Sequence, residues 1–183
     1  MTKTSEDTNV AAARRLRCFM NLGALGSMTQ LGPEALQAVR HAGYDGVQFG
    51  KPLDRPLRDT ALALGLAVCG SSRVNTPGEA GPIAKEAREE GLECLTLHVG
   101  WGKESDDEAA GLISAVLQAS VKYSVSLHPE THHTTIFQAP WRAVQLLARF
   151  PSLEFNGVFR IGIQGRRWFM AASKIIWNSS SRF

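Results

Sequence analysis

From Cys18 onward, short apolar runs alternate with longer segments whose apolar residues recur every three or four positions. The short runs are CFMNL (18–22), GVQF (46–49), LAVCG (66–70), CLTLHV (94–99), VSLHP (125–129) and LEFNG (153–157). Runs of this length, bounded by turn residues, predict strands. The segments between them predict helices with legible ends. Pro33 suits the first helical position, and Gly43 the residue just past the end, of a helix that turns Leu36 and Val39 inward. A second helix spans 56–64, from Pro56 to a stop at Gly65, and a third carries Ile83, Ala84 and Ala87 and stops at Gly91. Ser105-Asp106-Asp107-Glu108 is a capping box: hydroxyl and carboxylate each satisfy a backbone N–H that the first helical turn leaves open. The helix it starts has Leu112, Ile113, Val116 and Leu117 as its buried stripe. A fifth helix begins near Pro140, carries Trp141, Val144, Leu147 and Phe150, and ends at Pro151.

The order is six strands separated by five helices, which calls for parallel strands joined by right-handed crossovers. No G-x-G-x-x-G follows the first strand and no Walker A motif occurs, so dinucleotide and P-loop sheets lose their support. The fold class expected is α/β, a (β/α) TIM-type barrel. Such a barrel takes roughly 250 residues and eight strands, whereas this chain has 183 residues and about six strand signals. The expectation is therefore an incomplete barrel over 17–157, with a disordered N-terminal extension (1–16) and a divergent basic tail (158–183).

Charge sharpens that division. The chain has 20 basic and 17 acidic residues, but residues 160–183 hold Arg160, Arg166, Arg167, Lys174 and Arg182 without one acid. Residues 1–159 thus carry 15 bases against 17 acids, and a mildly acidic body argues against nucleic acid as a partner. No apolar run is long enough for a membrane span. The N-terminus lacks an apolar signal core, and Glu6 and Asp7 do not suit a transit peptide. Three widely spaced cysteines, Cys18, Cys69 and Cys94, fit buried thiols in a reducing compartment, so a cytoplasmic location is expected.

Barrel enzymes place their chemistry at the carboxyl ends of the strands, and four of the five histidines are there. His98 closes the fourth strand, and the fifth ends in His128-Pro129-Glu130-Thr131-His132-His133. Side chains alternate faces along a strand, so His128, Glu130 and His132 share one face while extension persists. Imidazole and carboxylate converging on a lumen suit a divalent cation; the same Glu130 could act as a general base beside a sugar carbon. Blander readings remain open. His98 could be a core histidine bonded across the barrel, HPETHH a solvated loop, Gln48 either a pocket-wall polar group or a core amide, and Trp101 either the floor of a sugar pocket or simple packing.

AVRHAGYDGVQF (38–49), LTLHVGWG (95–102) and SLHPETHHTTIFQAPWRAVQLLARFPSLEFNG (126–157) together resemble the sugar phosphate isomerase/epimerases. These belong to the xylose isomerase-like TIM barrel superfamily, which also contains endonuclease IV. The resemblance covers about residues 17–157. It implies that Glu130 is the fifth-strand metal ligand and catalytic carboxylate, that His132 is an active-site histidine, and that His98 lines the sugar pocket. His133 stands where related sequences often have Arg in contact with substrate. The implied cofactor is a divalent ion (Mn, Mg, Zn or Co), the implied substrate a small sugar or sugar phosphate, and the implied reaction aldose–ketose isomerisation or epimerisation. The family completes its metal site with an Asp, a His and a Glu on strands six to eight. After Phe155-Asn156-Gly157 it would show Asp-Phe-Ser-His-Trp, but this chain reads Val158-Phe159-Arg160-Ile161-Gly162. Three ligands are missing, and activity impaired by truncation is the expectation. A catalytically inactive barrel fragment or interaction module is the alternative, and an endonuclease IV-like nuclease a more distant one.

The tail also bears on the genetic code. Permitted codons for Arg160–Met170, read one base earlier, begin Ser-His-Trp-Tyr-Thr-Gly, so a frame-shift near Val158 is expected. Open edges on the first and sixth strands predict aggregation or oligomerisation; FMAASKIIW (169–177) is either a coincidental apolar run or a helix able to cover one of them.

Overall fold

The computed structural model describes residues 17–25, 32–153, 155–159 and 173–177. Strands β1 (Cys18–Asn21), β2 (Gly46–Phe49), β3 (Ala67–Val74), β4 (Cys94–Val99) and β5 (Ser126–Pro129) pair in parallel, each with the next. Helices α1 (Pro33–His41), α2 (Arg55–Ala63), α3 (Ala80–Glu89), α4 (Asp106–Tyr123) and α5 (Pro140–Arg149) supply the crossovers and lead on to β6 (Phe155–Phe159). This is the α/β architecture of a partial TIM-type barrel.

Local chemistry accounts for the helix ends. Gly43, Gly65 and Gly91 follow the first three helices at positive φ, the region where a Cβ is penalised. Ser105 Oγ accepts from the Glu108 N–H, while Glu108 Oε2 accepts from the Ser105 N–H at 2.7 Å, completing the capping box of α4. An equivalent box that the sequence reading did not anticipate, Thr76 with Glu79, starts the turn before α3. Leu112, Ile113 and Val116 are buried, and Leu117 packs against the same core. That core lies between sheet and helices and takes Val68, Leu95, Leu97, Val99 and Leu127 from the outer faces of β3, β4 and β5.

Four expectations change. The third strand reaches Val74 rather than Gly70, because Ser71, Ser72 and Arg73 keep pairing with Thr96, Leu97 and His98. The sixth strand lies at 155–159, two residues later than its apolar run. On α5 the inward residues are Ala143 and Leu146, with Leu147 and Phe150 packed beside them, whereas Trp141 and Val144 are each 67% exposed. A series stepping by three drifts around a helix by about 60° per step, so Trp141 falls on the face opposite Phe150. Finally, Ser173–Trp177 of the tail forms a strand, β7, rather than a helix. It pairs antiparallel with both β1 and β6, so β6 runs in the direction of β1–β5 and the edge of β1 is covered. Any extended segment satisfies the N–H and C=O groups of a strand edge, and β-branched Ile175 and Ile176 favour extension. The ladder order is β5-β4-β3-β2-β1-β7-β6, and its two end strands come close to each other, so the sheet curls round a lumen. The expected N-terminal extension, and the region of the tail where the frame-shift and missing-ligand readings fall, lie outside the described residues or concern side chains not described. Among the described residues no helix is long and apolar enough to cross a membrane.

Candidate active site

Strand register decides which side chains meet in the lumen. Arg73 of β3 lies opposite His98 of β4, and Thr96 lies opposite His128 of β5. Alternation then places Glu130, two residues beyond His128, in the row of His98. The Glu130 N–H donates to the Leu97 carbonyl at 3.0 Å, which carries the pairing of β5 past Pro129. Arg73, His98 and Glu130 therefore stand side by side at the carboxyl ends of three adjacent strands. Below them come Ser71, Thr96 and His128, and below those Cys69 and Cys94. Gln48 is a core amide, 2% exposed, donating to the Gly70 carbonyl.

Glu130 is 7% exposed, and its Oε1 lies 3.8 Å from His98 Nε2. That is too long for a direct hydrogen bond and suits a pair that shares one bridging oxygen. His132 has left the strand, yet its ring stacks on His98 with centroids 4.2 Å apart and planes 22° apart. Its Nδ1–H donates to the His133 carbonyl at 2.7 Å, which leaves the Nε2 lone pair as an acceptor. Burial holds the His132 imidazole below the usual histidine range; the bond to the His133 carbonyl opposes this, and the neighbouring His98 and His133 rings add to the lowering. The His133 ring is exposed and tilted by 42° against His132, so the loop uses its carbonyl rather than its ring. The arrangement thus gathers His98, Glu130 and His132, puts Trp101 on the rim at 49% exposure, and leaves the His133 side chain outside.

Arg73 was not anticipated, because a strand read as ending at Gly70 does not reach it. The missing signal was alternation: Cys69, Ser71 and Arg73 continue one face while Val68, Gly70, Ser72 and Val74 continue the other. Glu104 was missed as well. Its carboxylate accepts from the Trp101 N–H at 2.6 Å and shapes the Gly100-Trp101-Gly102 turn. A Cβ on Gly100, at φ +63°, would lie 2.7 Å from that carboxylate, and one on Gly102, at φ +82°, 2.5 Å from Gln138. Burial works to raise the Glu104 pKa, but backbone N–H groups, that of Trp101 foremost, outweigh it and hold the carboxyl below its ordinary value. Deeper in the lumen the Cys94 thiol is lowered to about 6 by its hydrogen bond to Cys69, against burial, with His128 adding to the effect.

The donor set does not fit a bound metal ion as described. Among the described residues no three His, Cys, Asp or Glu side chains converge to hold one, and a single carboxylate beside imidazoles falls short of the four or more ligands that divalent ions take. A shallow cleft lies away from this row, on the outer face of the sheet, walled by Phe49, Ile83, Leu92 and Leu95 and rimmed by the Lys51–Glu86 ion pair.

No family model matches the sequence, and no curated protein does. Solved structures do match. Over 79% of this chain and 63% of the other, the probable 3-DHS dehydratase AsbF involved in petrobactin synthesis from Bacillus anthracis is similar, with 12% identity and a TM-score of 0.59. A xylose isomerase-like TIM barrel protein from Mycobacterium smegmatis, solved in complex with magnesium, matches over 77% of this chain and 63% of its own, at 13% identity and a TM-score of 0.51. The fold is that of a partial TIM barrel. L-ribulose 3-epimerase is similar over 78% of this chain and 60% of its own, at 15% identity and a TM-score of 0.55. The chain thus spans less than two thirds of the length of these solved structures.

Proposed function

We propose that the mouth of this barrel is a proton-transfer site of the sugar isomerase/epimerase type, acting on a small sugar or sugar phosphate. The observation that carries the reading is the pair Glu130 and His98, a buried carboxylate 3.8 Å from an imidazole nitrogen at the carboxyl ends of adjacent barrel strands. A carboxylate in that place can take a proton from the carbon next to a carbonyl. An N–H on His98 Nε2 can donate to the carbonyl oxygen as negative charge builds there. Returning the proton to the former carbonyl carbon, while the hydroxyl on the first carbon gives up its own proton, isomerises the sugar. Exchanging the proton for one on the other face of the same carbon epimerises it and needs a second acid–base group; His132, whose Nε2 carries a lone pair, can take the proton there while a protonated Glu130 returns one. Trp101 on the rim offers an apolar face to a sugar ring.

One similar barrel was solved with a magnesium ion. The described residues supply Glu130 to such an ion and no complete ligand set, so metal dependence enters as a variable of the test. That shortfall also favours a second reading in which the chain is a catalytically inactive barrel or interaction module.

Incubation of the protein with a panel of aldoses, ketoses and their monophosphates, with and without added Mg, Mn, Co or Zn, separates the two. Isomer or epimer formation that falls by about 10²- to 10⁴-fold in Glu130→Gln supports the enzyme. Absence of product from every substrate under every ion condition, in protein shown to be folded, supports the inactive barrel.

A further inference from the structure

Arg73 belongs to the same row as His98 and Glu130, yet neither the sequence nor the proposed chemistry assigns it a role. It is held at several points. Its Nη1 donates to the Gly100 carbonyl at 2.6 Å and to the Thr134 carbonyl at 3.1 Å, which ties the end of β3 to the loops after β4 and β5. Its guanidinium carbon lies 4.2 Å from the centroid of the Trp101 ring, in cation–π contact. Thr134, which supplies one of the carbonyls, sits at φ +58°, and its own N–H donates to Gln138 Oε1 at 3.1 Å. So anchored, Arg73 presents Nη2 at 3.4 Å from Nδ1 of His98.

A guanidinium has only donors and stays charged in proteins. The His98 nitrogen facing it must therefore accept, and a neutral imidazole that accepts at Nδ1 carries its proton on Nε2. Nε2 is the atom that faces Glu130. On the other side the ring is stacked by His132, which restricts its rotation. His132 is held in the opposite tautomer, with Nδ1–H on the His133 carbonyl and Nε2 accepting. Two stacked imidazoles thus offer the mouth one N–H donor and one lone pair.

We propose that Arg73 is a positioning residue that holds His98 in the Nε2–H tautomer, so that its N–H points at the space beside Glu130. The consequence for catalysis rests on the proton-transfer reading above; the tautomer itself does not.

The test is two-bond nitrogen–proton correlation NMR on ring-labelled protein at about pH 8.5, where imidazoles are neutral; it reads each tautomer without substrate. The wild type is expected to show His98 as Nε2–H and His132 as Nδ1–H. Arg73→Met keeps a long side chain against Trp101 but removes the donor, and is expected to move His98 toward a mixture of tautomers while His132 stays unchanged. Arg73→Lys restores a cationic donor and is expected to recover at least part of the Nε2–H form. A wild-type His98 that is Nδ1–H overturns the proposal outright, whether or not the variants fold. So does an unchanged His98 in a folded Arg73→Met protein. With a turned-over substrate, Arg73→Met is expected to lower kcat by more than tenfold with a smaller change in KM. If the tautomers follow the proposal but no substrate turns over, the fault lies with the proton-transfer reading; if substrates turn over but the tautomer is wrong, it lies with Arg73.

Discussion

The floor and the mouth of the lumen are built from the same strands and do opposite things. At the floor Phe19, Cys69 and Cys94 are 0 to 3% exposed and form a small apolar cluster with Ala67 beside them. Gly46 is part of that fit, since a Cβ there would come within 2.4 Å of the Phe19 ring. Two residues further along β4, and one row above that in β3 and β5, the lumen becomes polar and then charged: Thr96 and His128, followed by Arg73, His98 and Glu130. The mouth groups are satisfied by loops rather than by packing, with Arg73 on two loop carbonyls and His132 on a third. Packing and the proposed chemistry are thereby separated along the barrel axis. Substitutions at one end should leave the other end's property intact.

The largest structural effect is expected at the floor. Phe19→Ala removes a fully buried ring and should cost about 3–5 kcal/mol in denaturant unfolding, with any turnover per folded molecule unchanged. A loss under 1 kcal/mol would mean that the floor does not pack as described. A smaller effect is expected at the rim. The carboxyl of Glu104 is held below its ordinary value in the folded chain, so its stabilising contribution is present above the unfolded value near 4.5 and fades as pH falls through the folded value. Hydrogen exchange at the Trp101 amide should accelerate across that acid window relative to the amides of β4. Glu104→Gln should weaken the same protection already at neutral pH. Smallest of all should be Trp141→Ser. This side chain is 67% exposed, and its replacement should change stability by less than about 0.5 kcal/mol. A larger loss would restore Trp141 to the buried stripe of α5 that its spacing first indicated.

The difference between floor and mouth also governs what could be read from the sequence. Strands and helices of the first five units were legible because their faces are uniform: apolar runs such as CLTLHV mark the strands, and Gly43, Gly65 and Gly91 mark the helix ends. His98, Glu130 and His132 were legible because histidine is scarce in this chain, four of its five lie at strand ends, and Glu130 stands among them. Arg73 was hidden by Gly70-Ser71-Ser72, which resembles a turn; inter-strand pairing with β4 overrides that local preference. On α5 a run of residues spaced by three imitated a stripe, but neighbours every three or four positions are needed to stay on one face, which Ala143, Leu146, Leu147 and Phe150 do. The strand at Ser173–Trp177 had no periodic signal, and its identity comes from the edge of β1 that it covers.

The central claim is that the mouth moves a proton at carbon next to a carbonyl, through Glu130. Solvent deuterium incorporation measures that step directly. Wild-type protein incubated in deuterium oxide with the sugar or sugar phosphate it turns over should place deuterium on that carbon, and Glu130→Gln should slow the incorporation by at least two orders of magnitude while Phe19→Ala, where folded, should not. Incorporation that proceeds equally well in Glu130→Gln would contradict the account.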